Sequence, residues 1–245
     1  MRYELMRPRQ IQKAIEQGLP LLIPVGVLEY HGPQNPVGTD ALIAQGIVHL
    51  VEKQVECVVA PTLFYGYTGE WAAGVEKGEI HVDGTALYGY VKPILTAFYS
   101  QGWNRIFVLC HHQGPQGVTM LSCQRAATEA AMEYGLARGG VGWSKVPELR
   151  GGVFHKMAVV RDSQLSSIGY GGHGGKDETA AMMYLFPGTV DLKELKNERP
   201  AWAADAHEAT AKLGEKIAKA IVAGWVNELS KGRPRRRRKS GLFTR

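Results

Sequence analysis

No apolar run in this chain approaches the roughly 20 residues needed to cross a bilayer as a helix. The opening Met-Arg-Tyr-Glu-Leu carries no signal-peptide core. A membrane protein is thereby set aside, and the chain is expected to be soluble and cytoplasmic. Cysteine is scarce: Cys57, Cys110 and Cys123 are an odd number without Cys-x-x-Cys spacing. They suggest neither a disulfide framework nor a thiolate zinc site, so reduced structural thiols are expected. Internal repeats and interior linkers are also missing, which favours a single domain over residues 1–230. Acids are absent from residues 231–245, which hold eight of the 29 Lys and Arg; the remaining 21 bases face 23 acids. The net charge of +6 therefore belongs to a basic tail, and the body is mildly acidic. Such a tail reads as a solvated end, and nucleic acid is not the expected partner.

What the sequence does hold is an alternation of strand and helix patterns. "LPLLIPVGVL" (19–28), "CVVAPTLFYG" (57–66) and "NRIFVLC" (104–110) read as buried strands. "GGVFHKMAVV" (151–160) is a further candidate. Helices are predicted over residues 8–17, from a Thr39-Asp40 cap through Val51, and over 86–103, kinked or started near Pro93. Others are expected over 118–138, 177–186 and 205–231. Alternation of this kind implies crossover units, a mostly parallel sheet and a three-layer α/β/α domain. The long stretch between Gly66 and Gly84, rich in glycine and charge, has the length of a functional loop.

Three polar clusters fall at predicted strand ends or helix starts, the edge where open parallel sheets form their sites. In "LEYHGPQNPVGTD" (28–40), Glu29 and His31 are two residues apart and share one side of an extended segment, while Asp40 opens a helix. In "VLCHHQGPQG" (108–117), a strand ends in His111-His112, adjacent residues that point to opposite sides, so one at most is a ligand candidate. In "GGHGGKDETAAMMYLF" (171–186), glycines flank His173 and Asp177-Glu178 opens a helix. A histidine and a carboxylate at such a junction can form an acid/base pair. Each cluster alone fits a hydrogen-bonded loop. Together they offer oxygen and nitrogen donors without thiolate, a set suited to Zn, Mn, Fe or Ni in a hydrolytic centre.

At these residues the sequence resembles the creatininase (creatinine amidohydrolase) family. "IPVGVLEYHGPQNPVGTD" (23–40) follows the first family motif almost throughout, "IFVLCHHQGP" corresponds to the middle one, and "HGGKDETA" (173–180) to the third. "VDGTALYGYV" also resembles the family's Pro-Gly-Thr segment, so the likeness runs over about residues 21–192. Counting from the strand aligns His112, rather than His111, with the family's ligand histidine.

The resemblance implies a creatininase-like fold and a binuclear amidohydrolase with two divalent transition-metal ions, Zn, Mn or Fe. Glu29, Asp40 and His112 would hold one ion, and His31 with a bridging Asp40 the other. His173 and Glu178 would line the reacting centre and carry the proton after attack by metal-activated hydroxide. Where creatinine-hydrolysing members have a further glutamate ligand, this chain has Gly114, so Glu178 or water is expected to complete the second ion's shell. The tryptophan that precedes the third motif in those members has no counterpart. Trp71, Trp143 and Tyr170 are the aromatic residues available to shape a different pocket. The expected reaction is hydrolysis of a non-peptide C–N bond in a small cyclic or formylated nitrogen compound. A peptidase trimming a short modified peptide, or a non-catalytic protein binding nucleic acid through its tail, are the alternatives. The resemblance also implies a homo-oligomer, often a hexamer.

Overall fold

The computed structural model describes residues 1–138, 157–163 and 171–231. Four strands, β1 (Leu21–Val25), β2 (Val58–Val59), β3 (Ile106–Cys110) and β4 (Val159–Asp162), form one sheet in the order β2-β1-β3-β4. Every pairing is parallel. The helices are α1 (Pro8–Glu16), α2 (Thr39–Val51), α3 (Gly84–Gln101), α4 (Val118–Ala137), α5 (Lys176–Leu185) and α6 (Ala211–Ser230).

The strands read as unbroken apolar runs because both faces are covered. Side chains alternate across a strand, so Leu21, Ile23 and Val25 of β1 with Ile106 and Val108 of β3 pack against Leu95 of α3 and Ala127 of α4. Leu22, Phe107 and Leu109 point the other way, into Ile47 of α2, Met182 of α5 and Trp225 of α6. The result is the expected three-layer α/β/α architecture. Among the described residues no helix is long and apolar enough to cross a membrane.

Several boundaries differ from the sequence reading. β1 stops at Val25 rather than continuing to Leu28. A Cβ at Gly26 would lie 2.3 Å from the Ala41 amide nitrogen, so the start of α2 presses on the strand end and the chain must turn away. β2 is only two residues long, because Pro61 has no N–H to continue a ladder; pairing resumes as a lone bridge between Val25 and Leu63. α2 is preceded by Gly38 in the cap position, and Thr39 and Asp40 form its first turn. α3 begins at Gly84, well before Pro93, because the Asp83 carboxylate accepts from the Thr85 and Ala86 amides and caps it. Pro93 is carried inside the helix. The long terminal helix is shorter than predicted: Thr210, accepting from the Leu213 amide, starts α6 and separates it from a short turn over Ala206–Glu208. Residues 151–156 of the fourth strand candidate, Trp143, Tyr170 and residues 232–245 of the basic tail lie outside the described residues.

Chain order places the site. From β1 the connections run to β2 on one side and, later, to β3 on the other, so the sheet order reverses between β1 and β3. Ligand sites of open parallel sheets form beyond the carboxyl ends of the strands at such a reversal. Glu29 and His31 follow β1 there, and His111 and His112 follow β3.

Candidate metal centre

Asp40 stands at the middle of the cluster. It is buried in the first turn of α2, where unpaired amide groups favour a carboxylate. Its Oδ1 accepts from His31 Nε2 at 3.1 Å and its Oδ2 from His112 Nδ1 at 2.8 Å. One carboxylate thus faces residues from the ends of both central strands.

The second nitrogen of each histidine is tied to the backbone. His31 Nδ1 lies 2.9 Å from the Glu29 carbonyl oxygen, His112 Nε2 lies 2.8 Å from that of Tyr67, and His173 Nε2 lies 2.6 Å from that of Tyr30. Each carbonyl can only accept, so each of these nitrogens carries a proton. The other nitrogen of each ring faces carboxylates, and for His173 this is Nδ1, 3.6 Å from Glu29 Oε2. Metal-ligating histidines are oriented in this way, with one nitrogen fixed by a hydrogen bond and the other presented to the ion.

Glu29 has the most costly setting of the group. It is 0% exposed, and neither carboxylate oxygen accepts a hydrogen bond. His112 Nδ1 is 3.4 Å from Oε2, beyond good hydrogen-bond range. Burial raises the Glu29 carboxyl to about 8, although His112 and His31 pull the other way. Burial also pushes His31 down, but Asp40, Glu178 and Glu29 overcome it and raise the imidazole to about 10. His112 is raised by Asp40 and Glu29 against its own burial. Asp40 is held far below the carboxylate range, since both imidazoles outweigh its desolvation. His173 goes the opposite way, lowered by burial and by His31, so it favours the neutral form.

Glu178 enters from the first turn of α5. Its Oε2 accepts from the Gly174 amide at 2.6 Å and lies 3.7 Å from His31 Nε2, while Oε1 lies 3.7 Å from His111 Nε2. Burial alone would raise its carboxyl, but the neighbouring His111 and the charge of His31 lower it. Three groups hold their ligand atoms within 4.8 Å of one another: Glu29, Asp40 and His112; His31, Asp40 and Glu178; and Glu29, His31 and His173. The first two share Asp40. Glu178 stands beside His31 and Asp40.

His111 and His112 diverge as expected of neighbours at a strand end. His112 turns to Asp40, and His111 turns to Ser163 Oγ at 2.5 Å. His111 Nε2 also lies against Glu178.

The third motif fits over the first because of a glycine. Gly174 has φ +59°, and a Cβ there would lie 2.6 Å from the His31 carbonyl oxygen. Gln34 and Asn35 stitch the two segments together, Gln34 Nε2 donating to the Gly174 carbonyl and Asn35 Nδ2 to Thr179 Oγ1. Around His173 lie Trp71 and Trp202, with ring centroids 4.9 and 4.7 Å away. Trp202 was not singled out from the sequence; it sits in a short turn far from any motif. Neither was Glu79, a buried carboxyl from the 66–84 loop whose Oε1 accepts from the Tyr30 amide at 3.1 Å.

The chain matches the creatininase family, described as creatinine amidohydrolase, over residues 4–229. It is 29% identical to the creatinine amidohydrolase of Pseudomonas putida over 188 residues, 74% of this chain and 70% of that protein. A 3-dehydro-scyllo-inosose hydrolase of Thermotoga maritima is 28% identical over 110 residues, 45% of this chain and 35% of that protein. Among solved structures, a Mn form of creatininase superposes with a TM-score of 0.76 at 22% identity, covering 95% of this chain and 98% of the other. A creatininase variant of Zn-Zn type gives the same figures.

Proposed function

Because the chain belongs to the creatininase family of amidohydrolases, we propose that it is a metal-dependent hydrolase of a non-peptide C–N bond in a small cyclic or formylated nitrogen compound. Glu29, Asp40 and His112 would hold one divalent ion, and His31, Asp40 and Glu178 a second, with Asp40 common to both. The observation that carries this reading is the arrangement of the donors. Three histidines each anchor one nitrogen on a backbone carbonyl and aim the other at a carboxylate cluster, in which Glu29 is fully buried with no hydrogen bond. A buried carboxylate without partners costs several kcal/mol, and a cation offsets that cost. The donor set, imidazole and carboxylate without thiolate, suits Zn, Mn or Fe.

Ions bound here would polarise the amide carbonyl and acidify a water molecule. The chain's own residues supply the rest. His173 is the proton carrier: the Tyr30 carbonyl holds its Nε2–H, and Nδ1 remains to take a proton and pass it to the leaving nitrogen. Its lowered affinity for protons keeps it neutral and able to accept near pH 7. Trp71 and Trp202 flank the imidazole, limit water around it and offer flat surfaces to a small ring.

The test combines elemental analysis of the purified protein with hydrolysis assays across cyclic ureas, hydantoins, lactams and formamides. Roughly two transition-metal ions per chain are expected, with activity abolished by chelator and restored by Mn or Zn. Full activity in a preparation containing no metal would overturn the reading.

A further inference from the structure

The segment that carries Glu29 and His31 is no longer a strand, yet its backbone groups are held by partners. The Leu28 carbonyl accepts from the Ile80 amide at 3.1 Å, and the Glu29 amide donates to the Val37 carbonyl at 3.0 Å. The His31 carbonyl accepts from Asn35 Nδ2 at 3.0 Å. The Tyr30 amide has no carbonyl opposite it; its partner is the Glu79 carboxylate, 3.1 Å away. Glu79 is 2% exposed and follows Gly78, whose left-handed backbone turns the chain so that residues 79 and 80 run antiparallel to residues 28–30.

A carboxyl is an expensive way to satisfy backbone amides. Burial raises Glu79, with the Tyr30 and Ala73 amides pulling it back, and an apolar side chain of the same size would avoid that desolvation. What the carboxyl does provide is a fixed position for Tyr30, whose carbonyl takes the Nε2–H of His173 at 2.6 Å. We propose that Glu79 is a positioning residue for this centre: by anchoring the Tyr30 amide it sets the Tyr30 carbonyl that holds His173 with Nε2 protonated and Nδ1 toward Glu29. The proposal rests on the amidohydrolase reading for its purpose, but its geometry is independent of any bound ion. Glu79 acts as a hydrogen-bond acceptor from outside the ligand groups, as partners that orient metal-site histidines do.

The experiment compares the full chain with Glu79→Gln, which keeps an acceptor oxygen, and Glu79→Leu, which keeps the volume and leaves the Tyr30 amide unpaired. Two readouts are taken: the His173 tautomer, by ¹⁵N NMR of the imidazole in chelator-treated protein, and the affinity for Mn. Glu79→Gln retains the single Nε2–H tautomer and Mn affinity within about threefold. Glu79→Leu mixes the tautomers and, because Tyr30 lies between the ligands Glu29 and His31, weakens Mn binding by about 10- to 100-fold. Tyr30→Phe removes the Tyr30 hydroxyl bond to Glu198 but no backbone bond, and it leaves the tautomer unchanged.

A tenfold loss of Mn affinity in Glu79→Gln would overturn the proposal, since it would make the charge or direct ligation the role of Glu79; this arm stands even if Glu79→Leu fails to fold. Unchanged tautomer and affinity in a folded Glu79→Leu would also overturn it, as would mixed tautomers in Tyr30→Phe. If the parent chain binds none of Mn, Zn or Fe, the amidohydrolase reading fails, and the tautomer comparison still decides the role of Glu79.

Discussion

At the scale of single residues, the centre is a problem of protons competing with cations. His31 and Glu29 hold protons up to about pH 10 and 8, above their ordinary 6.5 and 4.5. Both groups therefore bind protons more tightly in the folded than in the unfolded chain. The sign follows: without metal, stability falls as pH rises, from about 4.5 upward through 8 for Glu29, and from about 6.5 upward through 10 for His31. Metal binding runs the other way, because an ion must displace the same protons. Apparent Mn affinity should rise between pH 6 and 8 by up to about tenfold per pH unit for each proton displaced. Titration in weakly buffered solution with a pH indicator would show the released protons; affinity independent of pH would contradict the assignment. Asp40 is shared by both ligand groups, so Asp40→Ala should abolish binding of both ions, while Glu178→Ala should leave at least one. Elemental analysis after gel filtration distinguishes the two. Trp71 is 58% exposed beside His173, so Trp71→Leu should leave metal content intact and lower kcat/KM for a ring-shaped amide about three- to tenfold.

At the scale of elements, the site depends on segments that approach one another more closely than a side chain permits. Gly174 combines a left-handed backbone with contact to the His31 carbonyl. Gly174→Ala should cost about 1–3 kcal/mol, read as a lower urea midpoint at unchanged slope. Metal content should fall with it, because the same contact sets His31 beside Glu178. Legibility from sequence divides along this line. Helix α4 was readable from its alanine-rich pattern and α1 from Pro8, since both signals are local. The start of α3 was read two residues late, with a start near Pro93 left open, because Pro93 is a louder signal than Asp83, although the cap is what begins a helix. The early ends of β1 and β2 were hidden because they depend on the Ala41 backbone and on Pro61 interrupting a ladder that only the folded sheet defines.

At the scale of the whole molecule, the sheet order brings the ends of β1 and β3 together, and residues from three distant motifs meet around one carboxylate. Ions bound by several elements at once stabilise the native chain and not the unfolded one. At a free Mn concentration 100 times its dissociation constant, unfolding should cost about 2.7 kcal/mol more than in chelator. Chemical denaturation with and without Mn measures this; an unchanged midpoint would mean that the native chain binds Mn no better than the unfolded one.

Glu29, His31 and Asp40 could be recognised in the sequence because they lie within a dozen residues, where backbone geometry alone limits where they point. Alternation at a strand end showed locally that His111 and His112 diverge, while the choice of His112 as the ligand came from the family motif. Only the tertiary structure decided the rest. It set the distance of Glu178 from His31, brought Trp202 to His173, and set Glu79 under the Tyr30 amide. It also chose which nitrogen of each histidine faces the carboxylates. For His112 and His173 those choices belong to hydrogen bonds between residues tens of positions apart, to Tyr67 and Tyr30. No local pattern encodes a partner that exists only after the sheet has brought the chain back on itself.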